Sequence, residues 1–254
     1  AFARHLQLFS VCCVGGTNIA PQIRDLRRQN HFVIGTPGRL KDLINRQALN
    51  LGATATVILD EADRMLDMGF IPDMRFIMAR LPTICQTLFF SATLSAEVKG
   101  IIHDFLHEPV HLSVTTRATA DNIDQDIVRL KRGQEKLEAL HDLLLRPGFQ
   151  KVLIFGRTKY GVEKLAVNLA KRGFRADSIH GNKSQGQRQR SLGLFKEGRI
   201  QVLVATDVAA RGLDIPNVSH VINYDLPATY EDYVHRIGRT GRGTASGSAL
   251  TFVE

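Results

Sequence analysis

The sequence predicts an α/β protein of two units, each a parallel sheet flanked by helices. Short apolar runs alternate with helical patterns along the chain, as in a parallel sheet covered by helices. The alternation breaks at a polar stretch over residues 115–123 and then restarts. One apolar run, Val57-Ile58-Leu59, read as a strand buried on both faces, ends abruptly in Asp60-Glu61-Ala62-Asp63. The carboxyl ends of parallel strands are where such folds place ligands.

Strands are expected over residues 7–14, 32–35, 56–60, 86–90 and 110–114, with helical patterns over 21–28, 40–45 and 71–80. The polar stretch that follows reads as a linker. It divides the chain into a first domain, 1–117, and a second, 118–254. In the second domain residues 136–145 read as a helix and 152–155 as a strand. Thr158 can cap a helix whose Val162, Leu165, Ala166 and Leu169 share one face, with Gly173 closing it. Strands follow over 176–179, 202–206, 220–224 and 247–252.

At 254 residues the chain has room for two ordinary domains, and its 44% hydrophobic content is that of a globular protein. The net charge of +8 makes an anionic partner plausible. It is uneven: residues 1–120 hold 12 Lys/Arg and 10 Asp/Glu, residues 121–254 hold 21 and 15. Cys12, Cys13 and Cys85 show no zinc spacing, and Cys12-Cys13 beside Val11 and Val14 reads as a buried strand. Reduced thiols fit a cytoplasmic protein. No apolar stretch reaches the roughly 18 residues of a membrane span. The chain starts at Ala1 in mid-pattern and is read as a fragment of a longer protein.

The tetrad at 60–63 is a poor choice for packing, because a buried carboxylate is costly unless it is paired or holds a metal. Mg²⁺ is usually held through one or two carboxylates plus phosphates, which suits Asp60. Glu61 is placed to deprotonate a water attacking a γ-phosphate. The bland alternative is a helix start with acids in its first turn. Ser91 and Thr93, just past an apolar run, could both bond Asp63 across neighbouring strand ends. Thr36-Pro37-Gly38-Arg39 opens a helix, and N–H groups at a helix start favour phosphate. Gly15-Gly16 ends a strand and would let a nucleic-acid backbone approach.

The second half ends in His235-Arg236-Ile237-Gly238-Arg239-Thr240-Gly241-Arg242, arginines at spacing three among glycines. A triphosphate gains more from that pattern than a core does. Upstream, Thr206 and the Gly212 backbone could touch a sugar-phosphate chain, and Asp214 could accept from a ribose hydroxyl. Gln185 and Arg188 start a helix with a basic face. Gly181-Asn182-Lys183-Ser184 imitates the tail of a phosphate loop but lacks its spacing. No G-x-x-x-x-G-K-[ST] sequence occurs in the chain.

Together these pieces resemble the DEAD-box ATP-dependent RNA helicases of superfamily two, over nearly the whole chain. The likeness rests on Gly15-Gly16, TPGR at 36–39, DEAD at 60–63, SAT at 91–93, QxxR at 185–188, ATDVAARGLD at 205–214 and HRIGRTGR at 235–242. Stretches 64–72 and 179–186 look like the bacterial RhlE-like subgroup. The resemblance implies two RecA-like domains that close over ATP, Mg²⁺ and RNA. Carried onto this chain, Asp60 binds Mg²⁺ through water with Glu61 as the second acid of the metal site, and Glu61 is the catalytic base. Asp60, Asp63, Asp214, Arg239 and Arg242 serve the nucleotide, with Arg239 and Arg242 as arginine fingers. Ser91, Thr93, His235 and Arg236 couple hydrolysis to unwinding. Gly15, Gly16, Thr36, Gly38, Arg39, Gln185, Arg188, Thr206 and Gly212 lie along the RNA backbone, with little sequence preference.

It further implies a monomer in the cytoplasm, free of membrane, with partners in ribosome assembly or RNA decay. The family's phosphate loop, adenine-reading glutamine motif and PTRELA-type segment are not in these 254 residues. The first domain is therefore expected to lack an N-terminal strand, and the chain to bind ATP weakly. Two alternatives stay open: a non-hydrolysing RNA-binding or regulatory protein, and a DNA helicase of the same superfamily.

Overall fold

The computed structural model describes residues 5–113, 122–210, 213, 215–241 and 246–253. The chain divides into two compact units, Ala1–Leu112 and Ser113–Glu254. The expected junction at 117/118 lies outside the described residues.

The first unit runs β1 (Ser10–Cys13), α1 (Ile19–Leu26), β2 (Phe32–Gly35), α2 (Pro37–Asn45), β3 (Thr56–Leu59), α3 (Ala62–Asp67), α4 (Ile71–Met78), β4 (Gln86–Phe89) and α5 (Ala96–Phe105). Its strands form two parallel pairs, β1 with β2 and β3 with β4. Asn18 caps α1 by accepting from Ala20 N, and Ser95 caps α5 by accepting from Val98 N. Val11 and Cys13 of β1 pack with Leu43, Ile23 and Leu40 of the helices. Gly35 is obligatory: a Cβ there would stand 2.7 Å from Cys13 O and 2.6 Å from Leu40 Cδ2.

Three expectations are corrected here. No strand forms over residues 110–113: Val110 is 86% and Leu112 90% exposed, and Pro109 ahead of them has no N–H for a ladder. Val114 lies outside the described residues. The run 57–59 is not buried on both faces, since Ile58 is 58% exposed while Leu59 is buried. Cys12 is likewise exposed and Cys13 buried. Helices cover β1 on the side of Val11 and Cys13, so it alternates with period two.

The second unit runs β5 (Ile123–Arg129), α6 (Lys136–Leu144), β6 (Val152–Phe155), α7 (Lys159–Lys171), β7 (Ala176–Ile179), α8 (Gln185–Lys196), β8 (Val202–Ala205), α9 (Asp207–Ala210), β9 (His220–Asn223), α10 (Tyr230–Ile237) and β10 (Gly247–Val253). Six parallel strands lie in the order β5-β10-β9-β6-β8-β7. Ile123, read as the end of a linker, instead opens β5 opposite Gly247. That strand is an edge, mostly exposed and polar, so its sequence carries no apolar run.

Successive side chains on β6 and β8 serve opposite faces. Val152, Ile154, Val202 and Val204 pack under α6 and α7, while Leu153, Phe155, Leu203 and Ala205 pack with Phe195 of α8 and Ala209–Ala210 of α9. Both strands are buried along their whole length. Thr158 caps α7 through Gly161 N, its four predicted apolar positions are buried, and Gly173 follows the C-cap at φ +92°. No helix among the described residues is long and apolar enough to cross a membrane.

Candidate functional site

Asp60 and Glu61 follow β3 directly, at the same end of the pair as Ser91–Thr93 follow β4. Asp60 Oδ1 accepts from Glu61 N at 2.9 Å. Glu61 is the N-cap of α3, with left-handed backbone, φ +51° and ψ +49°, and its side chain does not cap the helix. A non-glycine residue in that region costs roughly 1–3 kcal/mol and is found disproportionately at functional sites. Instead of capping the helix, Glu61 Oε2 accepts from Arg64 Nη1 in its first turn at 2.7 Å. Both carboxylates of Asp60 and Glu61 are exposed.

Asp63 is the fixed member of the tetrad. Its Oδ2 accepts from Ala92 N at 3.2 Å, Thr93 N at 3.1 Å and Thr93 Oγ1 at 3.2 Å. Three donors on one ionised oxygen weld the two strand ends. Only half of the expected hydroxyl pair reaches Asp63, because Ser91 Oγ donates to Thr93 O at 2.8 Å and so closes its own turn. Among the described residues no three His, Cys, Asp or Glu side chains gather as a metal cage. The donor set fits a Mg²⁺ that takes most of its ligands from phosphate and water.

The second cluster in this unit joins the Gly15-Gly16 turn to the TPGR segment. Gly16 has φ +73° and open space around it. Thr36 is the N-cap of α2 and Pro37 its first residue, with no side-chain capping bond. Arg39 Nη2 donates to Thr17 O at 3.0 Å and Nη1 to Gln22 Oε1 at 2.8 Å. Gln22, 8% exposed, donates in turn to Val14 O and Thr17 Oγ1. Sequence reasoning missed Gln22, whose lone amide on an amphipathic helix gives no local signal. Gly38 sits where a Cβ would be 3.4 Å from Asp73.

In the second unit Thr206 and the helix start carrying Gln185 and Arg188 follow the carboxyl ends of β8 and β7. Thr206 N donates to Ile179 O at 3.3 Å, which sets residue 206 beside the loop leading to Gln185. Ser184 and Gln187 form a reciprocal capping box at the start of α8. Gln185 and Arg188 are half-buried in that first turn. The loop before it is pinned: Lys183 Nζ pairs with Asp177 at 2.7 Å, and Glu163 accepts from Ser178, from His180 Nε2 at 3.0 Å and stands near Lys183. Burial pushes the Asp177 carboxyl up, but bonds from Lys183, Ser191 and Ser178 N leave it below its ordinary value. Bonds from Ser178 and then His180 lower Glu163. Lys183 is thus engaged, in keeping with its failure to match a phosphate loop.

The arginines at 236 and 239 part company. Arg236 is 2% exposed and bound within its own unit, to Asp207, Asn223 and Asp225 O. Arg239 Nη1 donates to Leu213 O at 3.0 Å and Nε to His235 O at 3.3 Å. His235 is half-buried on α10. Gly247 has no room for a Cβ, which would meet Thr240 Oγ1 at 2.1 Å, so β10 presses directly on this segment. Gly212, Asp214 and Arg242 lie outside the described residues.

A family model for the DEAD/DEAH box helicase matches residues 1–101, and one for the helicase conserved C-terminal domain matches 135–244. The DEAD-box ATP-dependent RNA helicase CshA of Bacillus subtilis is 48% identical over 240 residues, covering 94% of this chain and 48% of that protein. This chain spans about half the length of the curated relatives it matches. Among solved structures, S. cerevisiae Dbp5 bound to RNA and ADP BeF3 has a TM-score of 0.85 at 32% identity, over 98% of this chain and 64% of that one. A hypothetical ATP-dependent RNA helicase from Sulfolobus tokodaii, 35% identical with a TM-score of 0.50, matches 99% of this chain and is itself covered to 73%. With the two family models matching most of its length, the chain belongs to the DEAD-box helicase family.

Proposed function

We propose that this chain provides the hydrolytic and RNA-contacting core of an ATP-dependent RNA helicase, which couples ATP binding and hydrolysis to local unwinding of short RNA duplexes. The observation that carries it is Glu61, held in left-handed backbone beside Asp60 at a strand end whose neighbour is tied to Asp63. The strain has no packing return, since the side chain is exposed. It leaves the carboxylate exposed beside Asp60, paired with Arg64 rather than capping the helix.

Glu61 takes a proton from a water whose oxygen bonds the γ-phosphorus, and the β–γ bridging oxygen leaves on ADP. Asp60 would hold Mg²⁺ through water, with Glu61 beside it. That ion would neutralise phosphate charge. Asp63, bonded to Thr93 and Ala92, passes a change at the tetrad to the 91–93 segment. Arg239 and Arg242 serve the triphosphate as arginine fingers, and Asp214 serves the ribose. Residues 1–117 form the ATP-binding domain and 118–254 the C-terminal one, with His235 helping to couple them.

RNA runs along Gly15-Gly16, Thr36, Gly38 and Arg39 in one domain and Gln185, Arg188, Thr206 and Gly212 in the other. These contacts reach phosphate and 2′-hydroxyl, so sequence preference is slight. The free thiols of Cys12, Cys13 and Cys85 support a reducing, cytoplasmic setting.

The test is RNA-stimulated phosphate release from ATP, by the chain alone and fused behind a phosphate-loop segment, with Glu61→Gln beside each. The expected result is stimulation by RNA and not by DNA, cut by about 10²–10⁴-fold in the variant. Equal turnover by Glu61→Gln, or equal stimulation by DNA, overturns the reading.

A further inference from the structure

The far end of the second unit carries a site that the strand-edge chemistry does not use. A cavity of about 890 Å³ opens where β6 and β8 begin, opposite the ends that carry Thr206 and Gln185. Its walls include Arg146, Lys151, Arg172, Arg175 and Lys196, against one acid, Glu197. Helices α6, α7 and α8 all end here.

Cations at helix ends have an ordinary role, because each C-terminus carries roughly half a negative charge. That role accounts for only part of the set. Lys151 Nζ donates to Lys196 O and Arg175 Nη1 to Gly198 O, while Arg172 pairs with Glu138. Three helix ends offset about 1.5 charges, and Glu138 and Glu197 two more, which leaves about 1.5 positive charges in the cavity. Glu197 also stands 4.0 Å from Arg199. Arg146 and Lys196 are exposed and have no side-chain partner among the described residues. Burial, and then the Lys196 charge, push the Lys151 ammonium below its ordinary value.

The donors also say which anion fits. Helix C-termini present carbonyls, not N–H groups, so these three ends offer a small phosphate or a peptide carboxylate no backbone donors. The cationic groups that line the cavity are long ammonium and guanidinium side chains from three separate segments, with the amides of Gln150, Gln201 and Asn217 between them. Such a surface suits a polyanion held by counterion release rather than by shaped hydrogen bonding.

We propose that this cavity is a second RNA-backbone site, which holds the strand or flank extending beyond the nucleotides at the strand-edge site. The proposal rests on the RNA reading above and adds a distal anchor to it.

The experiment measures binding of this chain to a short and a long oligouridylate, about 6 and about 20 nucleotides, as a function of salt. Arg146→Ala/Arg175→Ala/Lys196→Ala is compared with the parent, and Arg146→Lys/Arg175→Lys/Lys196→Arg keeps the charge should the alanines disturb folding. The triple alanine variant should lose about tenfold or more on the long RNA, with a log–log salt slope shallower by about 2, and nothing on the short one. The charge-keeping variant should bind like the parent. Parent-like affinity and slope for the alanine variant on long RNA overturns the distal site. Equal loss on both lengths, with the melting temperature unchanged, places the three cations at the strand-edge site and also overturns it. A parent that binds neither RNA sinks the helicase reading itself. Polyglutamate that binds the parent tightly and not the alanine variant, with RNA binding unchanged, reassigns the cavity to an acidic peptide.

Discussion

Arg236 and Asp207 meet side-on, Nε to Oδ1 at 2.6 Å and Nη2 to Oδ2 at 2.8 Å, with the guanidinium over the Phe155 ring at 5.1 Å. The remaining nitrogen donates to Asn223 Oδ1 and Asp225 O. One side chain therefore joins α10, α9 and β9. Breaking a buried pair by removing one partner costs about 3–5 kcal/mol. Arg236→Ala should lower the stability of the second unit by that amount in urea unfolding. Arg236→Lys should lose less, since it keeps the charge but not the fork. A change under 1 kcal/mol (about fivefold in the unfolding constant) for Arg236→Ala would show that the pair holds nothing together.

Thr93 and Ser91 should separate when each is replaced. Thr93→Ala removes one of three donors on Asp63, and the two amides keep the carboxylate in place. Stability should fall by about 0.5–1.5 kcal/mol. Unwinding per ATP hydrolysed should drop, because the tetrad loses part of its link to the 91–93 turn. Ser91→Ala loosens the turn without touching Asp63 and should leave that ratio closer to the parent. Parallel assays of strand separation and phosphate release check the order of the two effects.

Gln22 should matter to RNA without touching it. Gln22→Ala frees Arg39 from one of its two tethers and the 14–17 turn from both of its side-chain bonds to Gln22. RNA affinity should weaken by about fivefold to tenfold, near 1–1.4 kcal/mol, with nucleotide affinity unchanged. Fluorescence anisotropy with labelled RNA reads the first and a fluorescent nucleotide the second. Loss of both together would mean that the first unit has unfolded.

His220 lies against Phe149, ring centroids 3.8 Å apart, and burial lowers its pKa below the ordinary 6.5. The unfolded chain then binds the proton more readily than the folded one. Stability from this group is present above about pH 6.5 and is lost as pH falls below it. His220→Phe keeps the stack and should flatten that part of the profile. Urea midpoints measured on either side of pH 6.5 would show an equal slope in both proteins if the histidine played no part.

Much of this was legible in the sequence wherever the signal is local. Val-Leu-Ile-Phe at 152–155 and Val-Leu-Val-Ala at 202–205 could only be central strands, and both are fully buried. The tetrad and the 91–93 hydroxyls were legible as neighbours because each directly follows such a run. β5 was not, because an edge strand needs no apolar face and Ile-Asp-Gln-Asp-Ile-Val-Arg has none to show. The left-handed backbone of Glu61 leaves no trace in residue type. The inward turn of Arg236 depends on Asp207, 29 positions away, and spacing within 235–242 is silent about that. Gln22 was invisible for the same reason, since its partners come from a turn and from another helix.

The two units differ in how their strands meet solvent. β6 and β8 are flanked on both sides and sealed above and below, whereas Phe32 and Ile34 of β2 and Ile58 of β3 are more than half exposed. Backbone amides exchange their hydrogens at a pace set by how often the structure around them opens. In deuterated water the chain should therefore show two clocks. The amides of residues 152–155 and 202–205 will wait for unfolding of the whole second unit, and those of 32–35 and 56–59 will exchange through small, frequent openings long before.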